Sequence, residues 1–301
     1  ANFRREFMAS LCSSVMDDHE QTAVYLADCR DAGMTVHPPD INESNRNYTV
    51  TPDGIRVGLG LVRNLGGGLA DTICSERAAN GPYVDVFDLC LRVPLNSSIV
   101  AYMASGGALD GFGVSRQGVV AACKEIVKSV KKTKKKLEAG QGSLFDGTDV
   151  TVEATGVDMS PIEFEHADLL KAEKAALGIY FAGHPIEDYT PTPLTLTDIK
   201  YTDVLKPLEI LVLVVDIKPK TTKAGDSMAI LTLEDRAAEI ESVCFPRAWN
   251  KIKGTFKKGA ILKAKLKTGT DFRDEKNYIL EDVTVVDDGS ESETDYTTKI
   301  G

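Results

Sequence analysis

The chain has 301 residues, of which 43% are hydrophobic and 27% charged, a composition that can bury real cores, predicts about two domains and excludes a disordered protein. It lacks a run of about 18 apolar residues and the apolar stretch of a secretion signal, so we expect a cytoplasmic protein without a membrane partner. The net charge of −10 argues against nucleic acid as a partner, but charge is unevenly distributed. Residues 124–136 contain seven lysines and one acid, and residues 247–267 contain eight basic residues and no acid.

The first segment, to about Asn47, is predicted to form two helices and a short extended piece. Its first residue is Ala rather than Met, inside an apparently helical stretch, so we expect a fragment of a longer protein.

Two blocks between residues 55 and 113 share a plan of helix, glycine turn and helix. The first turn contains Gly66, Gly67 and Gly68, and the second contains Gly106 and Gly107. Glycine allows backbone N–H groups and the next helix N-terminus to approach a phosphate without obstruction by a side chain. One such turn is more simply a join between packed helices, but two predict a grip on a duplex backbone that does not read sequence.

Residues 119–137 are predicted to form a long helix with an apolar stripe of Ile126, Val127 and Val130. Its remaining surface is lysine-rich. A solvated helix face is the simpler interpretation. A further role in contacting phosphate is the alternative, for which the candidates are Lys131, Lys132, Lys134 and Lys135.

The hexapeptide at residues 141–146 has a polar Gln141 followed by Leu144 and Phe145, with glycine on either side. An isolated apolar pair fits neither a helical nor a strand pattern, so it predicts an exposed peptide that docks into a pocket of another protein. After it, Ser160 to Glu163 reads as a capping box that starts a helix ending near Leu177.

Five β-branched or alternating runs in the last third predict five strands, for which a closed barrel of the OB type is the commonest arrangement. These runs are residues 209–217, 227–233, 239–245, 260–266 and 277–285. OB barrels bind single strands with basic grooves and aromatic platforms. The basic candidates are Lys220, Lys223, Arg247, Lys251 and Lys253. Of the nearby aromatics, Phe245 ends an alternating run and is assigned to the core, while Trp249 and Phe256 are left open.

Catalytic signals are missing from the sequence. The six cysteines form no Cys-x-x-Cys pair, the four histidines are scattered, and no Asp-x-Asp pair is present for two-metal chemistry. We therefore predict neither a catalytic residue nor a metal or cofactor site in this chain. The fold class expected is multidomain, a mostly helical helix-hairpin-helix region followed by a five-stranded OB barrel.

The order of these features resembles the α-subunit family of bacterial DNA polymerase III, the replicative C-family DNA polymerases. The stretches that carry the resemblance are Tyr-Leu-Ala-Asp-Cys-Arg at 25–30, Pro-Pro-Asp-Ile-Asn-Glu-Ser at 38–44, Gly-Gly-Ala-Leu-Asp at 106–110, Leu-Gly-Ile-Tyr at 177–180, Gly-His-Pro at 183–185 and Leu-Thr-Leu-Glu-Asp at 231–235. Residues 141–146 fall where the family carries its sliding-clamp-binding peptide. One departure is the run Gly66 to Gly68, where the resemblance predicts Gly-hydrophobic-Gly.

The resemblance implies a carboxy-terminal fragment of a DNA-directed DNA polymerase that binds primer-template duplex, single-stranded template, the sliding clamp and other replicase subunits. The catalytic palm and its Mg²⁺ are expected outside this chain. The implied domains are the end of the fingers (1–48), the tandem hairpin domain with the lysine-rich helix (49–137), a loop with the clamp-binding peptide (138–159), a linker helix (160–200), the OB domain (201–287) and an acidic disordered tail (288–301). Two alternatives remain open, an error-prone accessory paralogue and a stand-alone OB-type nucleic-acid-binding protein.

Overall fold

The computed structural model of the chain describes residues 3–138, 157–236, 238–270 and 276–290. The predicted docking peptide with Gln141, Leu144 and Phe145 lies outside the described residues, as does most of the predicted acidic tail. The chain divides into a helical unit that extends to Ala182 and a barrel unit that begins at Gly183.

The helical unit contains seven described helices and one small sheet around a single apolar core. The helices are α1 (Arg4–Ser14), α2 (His19–Asp31), α3 (Gly66–Asn80), α4 (Val86–Arg92), α5 (Ser97–Ser105), α6 (Arg116–Glu138) and α7 (His166–Leu177). The sheet has the order β1 (Thr35–His37), β3 (Gly54–Arg56), β2 (Thr49–Val50). The prediction of a mostly helical first region is confirmed.

The lysine-rich helix α6 begins at Arg116, three residues before the predicted start. Its apolar stripe of Ile126, Val127 and Val130 is buried, as predicted, while most of its lysines are exposed. The stripe packs α6 against α5 and α4, so the helical periodicity correctly predicted which face of α6 is buried.

The predicted helix start at Ser160 is wrong, because α7 begins six residues later at His166. The Glu163 carboxylate instead accepts hydrogen bonds from the backbone N–H groups of Arg116 (2.8 Å) and Gln117 (3.2 Å). Glu163 therefore caps the N-terminus of α6, 46 or 47 positions away in sequence, rather than that of α7.

A buried carboxylate joins the ends of these helices. Glu173 is only 1% exposed and accepts a hydrogen bond from Arg116 Nη1 at 2.9 Å. Its other oxygen accepts from the N–H groups of Phe181 and Ala182. Arg116 also contacts both oxygens of Asp110, at 2.9 and 2.7 Å, so one guanidinium holds the segment after α5 against α7.

The barrel unit is a closed barrel with the strand order β4-β5-β6-β8-β7. Its strands are β4 (Leu208–Thr221), β5 (Ser227–Glu234), β6 (Glu239–Cys244), β7 (Ile261–Thr270) and β8 (Lys276–Asp287). All neighbours are antiparallel except β6 and β8, which are parallel. A short helix, α9 (Pro246–Ile252), links β6 to β7, and this five-stranded architecture confirms the OB prediction.

The segment predicted as a linker, residues 160–200, is divided between the two units. Leu177 at the end of α7 belongs to the core of the helical unit. The helix α8 (Leu196–Tyr201) places Leu196 and Ile199 in the core of the barrel. A capping box between Thr195 and Asp198 starts α8.

We predict that Glu173→Ala lowers the free energy of unfolding of the helical unit by about 3 kcal/mol, because it leaves part of the Arg116 charge buried without its partner. Urea denaturation followed by circular dichroism measures this. The matched control is Lys171→Ala, which removes the partly exposed Lys171–Asp168 pair on the same helix and should cost less than about 1 kcal/mol. Equal losses in the two variants would contradict the prediction.

Candidate nucleic-acid interface

The first glycine turn presents an open helix N-terminus. A 3₁₀ turn at Leu59–Leu61 leads to Asn64 and Gly66, both with positive φ, and α3 then begins. Space is open where side chains at Gly66 and Gly68 would project. Among the described residues no side chain caps α3, and its first turn contains no acid, so no side chain offsets the positive end of its dipole there.

Arg46 adds a positive charge at this helix start. Its guanidinium lies directly over Gly67, in space that any larger residue would fill. The Arg46 carbonyl accepts a hydrogen bond from Gly60 N–H at 2.9 Å, which holds the residue against the turn. Arg46 Nη1 also pairs with Asp71 Oδ2 at 3.2 Å, and both side chains are about half exposed. The sequence pattern did not indicate Arg46 as a candidate, because it reaches the turn only when its own loop folds against the loop of Gly60.

The second glycine turn differs, because it is covered by the protein itself. Gly106 and Gly107 are both buried. A Cβ at Gly106 would lie 2.8 Å from Leu177 Cδ2, and one at Gly107 would lie 2.7 Å from Arg116 Nη2. In this conformation these two glycines allow helix packing and offer no surface to a phosphate.

The helix that follows the second turn already has an anion at its N-terminus. The Glu163 carboxylate accepts from the first N–H groups of α6, and Ser115 Oγ accepts from Gly118 N–H at 2.8 Å. The single hydroxyl hydrogen of Ser115 can be donated to either of two carbonyls, that of Ser160 at 2.9 Å or that of Ile162 at 2.8 Å. The two turns are therefore alike in sequence but differ in access.

The lysine candidates of α6 lie in its last turns. Lys131, Lys132 and Lys135 are exposed, and Lys134 is half-buried. Positive charges near a helix C-terminus stabilise it by interacting with the helix dipole, so part of this lysine run has a structural explanation.

The basic candidates of the barrel are all on its surface. Lys220 lies near the end of β4, Lys223 in the β4–β5 turn, Arg247 and Lys251 in α9, and Lys253 just after it; all five are exposed.

The assignment of Phe245 to the core is wrong, since its side chain is 46% exposed. The buried side chains of β6 are the even-numbered ones, so the same alternation turns residue 245 outward, and Phe245 is also the N-cap residue of α9. Trp249 and Phe256, at 8% and 6% exposure, are the core aromatics. Of these three aromatic residues, Phe245 is the one that can offer a ring to a ligand.

An outward row of side chains crosses the barrel beside Phe245. Lys218 on β4 pairs with Ile230 on β5, Ile230 pairs with Val243 on β6, and Val243 pairs with Ile279 on β8. These apolar side chains are half-exposed, and Lys218 is held across the row by Glu241 at 3.0 Å. An apolar strip with basic margins suits nucleobases and their phosphates.

Neither a metal centre nor a membrane span is found in the described part of the chain. No group of three or more His, Cys, Asp or Glu side chains within residues 3–138, 157–236, 238–270 and 276–290 could hold a metal ion. No helix in those ranges is long and apolar enough to cross a membrane.

Residues 33–119 match a family model described as a helix-hairpin-helix motif. The DNA polymerase III subunit alpha of Mycobacterium leprae (strain TN) is 33% identical over 83% of this chain and 22% of its own length. That of Mycobacterium tuberculosis (strain CDC 1551 / Oshkosh) is 30% identical over 98% of this chain and 26% of its own. The solved structure of the mitochondrial single-stranded DNA binding protein Rim1 from S. cerevisiae covers 29% of this chain and 99% of its own, at 10% identity and a TM-score of 0.25.

The similarity to the polymerase subunits extends over both units of the chain, the helical one and the barrel. The chain spans between 22% and 26% of the length of these two relatives. It belongs to the DNA polymerase III subunit alpha family.

Proposed function

We propose that this chain is the part of a replicative DNA polymerase III α subunit that holds DNA and tethers the enzyme to the sliding clamp. The observation that carries the proposal is the similarity to named α subunits over as much as 98% of the chain. The full-length protein would be a DNA-directed DNA polymerase acting in chromosome replication in the cytoplasm. Its Mg²⁺-dependent nucleotidyl transfer is assigned to the rest of the subunit. A stand-alone OB protein fits less well, because the similarity includes the helical unit.

Duplex DNA is assigned to the first glycine turn. A phosphate placed at the start of α3 would accept hydrogen bonds from backbone N–H groups and meet the Arg46 guanidinium. Such contacts fix the position of a duplex and carry no sequence information. Gly66 to Gly68 remain in this proposal, while Gly106 and Gly107 are left out because they are buried.

Single-stranded template is assigned to the barrel surface near Phe245. An exposed aromatic ring next to Arg247, with the apolar row of Ile230 and Val243 beside it, supplies both stacking and phosphate contacts. Lys220 and Lys223 extend the basic margin on the other side of β5.

Clamp tethering is assigned to Gln141, Leu144 and Phe145. A peptide that anchors to a ring around DNA raises the local concentration of every other DNA contact, so weak individual contacts suffice. Other replicase subunits are expected to bind the full-length protein.

For the duplex site, Arg46→Ala should weaken binding to a short DNA duplex and reduce the slope of log K against log salt by about 0.9, the loss of one phosphate contact. Asp71→Asn should act in the opposite direction, because it releases Arg46 and removes a negative charge beside it. Fluorescence anisotropy across a salt series measures both.

Arg4→Ala, which removes an exposed arginine from α1, is the matched control for net charge. An effect of Arg46→Ala no larger than that of Arg4→Ala would refute the assignment. Replacing Lys131, Lys132, Lys134 and Lys135 together by Ala tests α6 in the same salt series. An unchanged slope of log K against log salt would remove this helix from the interface.

For the single-strand site, Phe245→Ala should weaken binding of an oligothymidylate about fivefold or more, the effect of losing one base-aromatic stack. Phe245→Tyr keeps the ring and should bind like the parent chain. Val286→Ala, which trims another exposed apolar residue of the barrel, is the control in the same titration. Unaltered affinity in Phe245→Ala would remove this ring from the proposed site.

For the clamp site, replacing both Leu144 and Phe145 by Ala should weaken binding to a purified bacterial sliding clamp at least about 30-fold, because two anchor side chains are lost. Surface plasmon resonance measures this, and DNA affinity should stay the same. The control is Ile162→Ala, an exposed apolar residue further along the chain. Undiminished clamp binding in the double variant would refute the tether.

A further inference from the structure

The outer face of α1 carries two exposed phenylalanines. Phe3, the N-cap residue of the helix, is 72% exposed, and Phe7, one turn later, is 63% exposed. A backbone hydrogen bond of 3.0 Å from Phe7 N–H to the Phe3 carbonyl places both on the same face. The opposite face, with Met8, Ala9 and Cys12, is buried in the core of the helical unit. Apolar residues on two opposite faces are typical of a helix that is covered on both.

A groove beside Phe7 lies between α1 and the end of α2. Its volume is about 690 Å³. The groove is lined by three apolar and three charged residues, which are Phe7, Met8, Ala32, Arg4, Asp28 and Asp31. A groove between two helices with apolar walls suits a third helix that is amphipathic.

The charges of the groove favour a polypeptide over nucleic acid. Asp28 and Asp31 outnumber Arg4 in its lining, and carboxylates repel phosphate. Two neighbouring cations are turned to other segments. Arg5 Nη1 donates to a backbone carbonyl of the β2–β3 loop at 3.1 Å, and the Arg30 guanidinium lies 5.3 Å from the centre of an aromatic ring that follows α7.

The size of the exposed apolar surface indicates what covers it. A phenylalanine buries about 150–250 Å², so exposed fractions of 72% and 63% amount to roughly 300 Å² for the pair. A stable complex of separate proteins buries about 800 Å² on each partner, more than half of it apolar. A segment of the same polypeptide is held at a high effective concentration and needs less surface. The pair therefore matches another part of one polypeptide better than a second copy of this chain.

The family to which the chain belongs has such a polypeptide. The match covers 22% of one polymerase relative and 26% of the other, so about three quarters of each lies outside it. A surface between this part of the subunit and the remainder is therefore required, and the α1–α2 groove has the apolar and charged groups to supply one.

We propose that the groove between α1 and α2 receives an amphipathic helix from the remainder of the α-subunit polypeptide. The apolar stripe of that helix covers Phe3 and Phe7, and a basic residue of the same helix meets Asp28 and Asp31. The inference rests on the proposed function, because it requires the chain to be part of a longer α subunit.

The test places a thiol in the groove with Arg4→Cys, which leaves both phenylalanines intact. Of the natural cysteines five are buried and Cys74 is half-buried, so the added thiol is the accessible one. Alkylation by iodoacetamide, followed by mass spectrometry of the α1 peptide, measures its rate. A covered groove predicts that the thiol reacts at least about tenfold more slowly in the full-length subunit than in this chain alone. Equal rates in the two forms would overturn the proposal.

A second substitution shows whether the apolar pair causes this protection. Adding Phe7→Asp to Arg4→Cys in the full-length subunit should restore fast alkylation, because a carboxylate cannot be buried against the docked helix. The matched control adds Val84→Asp instead, at an apolar residue that is 73% exposed and lies outside the groove. This control should keep the thiol protected. Protection that survives Phe7→Asp would show that the pair is not the contact and would refute the assignment.

The chain alone tests the other occupant and separates this inference from the proposed function. Protection that appears in the chain alone as its concentration rises would identify a second copy in the groove and overturn the proposal. DNA and clamp binding by the chain do not depend on this groove. If they occur and the groove is unprotected in the full-length subunit, only this inference fails. If the gene encodes no longer subunit, both fail.

Discussion

The arrangement of the helical unit depends on the ion pair between Glu173 and Arg116. A carboxylate that is 1% exposed is tolerated only if its charge is matched and its oxygens accept hydrogen bonds, and Arg116, Phe181 and Ala182 provide both. Since Arg116 is the first residue of α6, this requirement fixes where α6 begins. It also brings α7 close enough to the second turn that only glycine fits at residue 106.

The same constraint explains why the two similar glycine turns differ in access. The N-terminus of a helix attracts an anion whether the anion is a ligand or a side chain of the protein. At α6 this anion is the carboxylate of Glu163. The hydrogen bond between Ser115 and the Ser160 carbonyl holds the segment that carries it. At α3 no described side chain fills this role, and Arg46 adds a positive charge. Of the two glycine turns that are similar in sequence, the second therefore joins packed helices and the first is open to solvent.

Periodic features were predictable from the sequence, and features that depend on a tertiary partner were not. The five strands and the buried stripe of α6 follow from side-chain alternation and from helical spacing, both of which are local. Phe245 was misassigned because it was placed inward for its apolar side chain, whereas the alternation of β6 buries the even-numbered residues and turns position 245 outward. Glu163 was misassigned because a capping sequence does not specify which helix it caps. Arg46 was missed because its guanidinium lies over Gly67, a residue of a different segment that has no side chain to exclude it.

The net charge of −10 is compatible with DNA binding because the proposed contacts rely little on net charge. Backbone N–H groups at the start of α3 act on a phosphate only within about one helical turn. This distance is shorter than the Debye length, so salt and distant acids weaken the contact little. Base stacking on Phe245 needs no charge, only an exposed ring. Acids on the barrel are also partly neutralised locally, as Glu241 is by Lys218 and Asp203 by Lys276. An acidic protein with two such local surfaces would repel DNA elsewhere, which favours binding in one orientation over indiscriminate coating of the duplex.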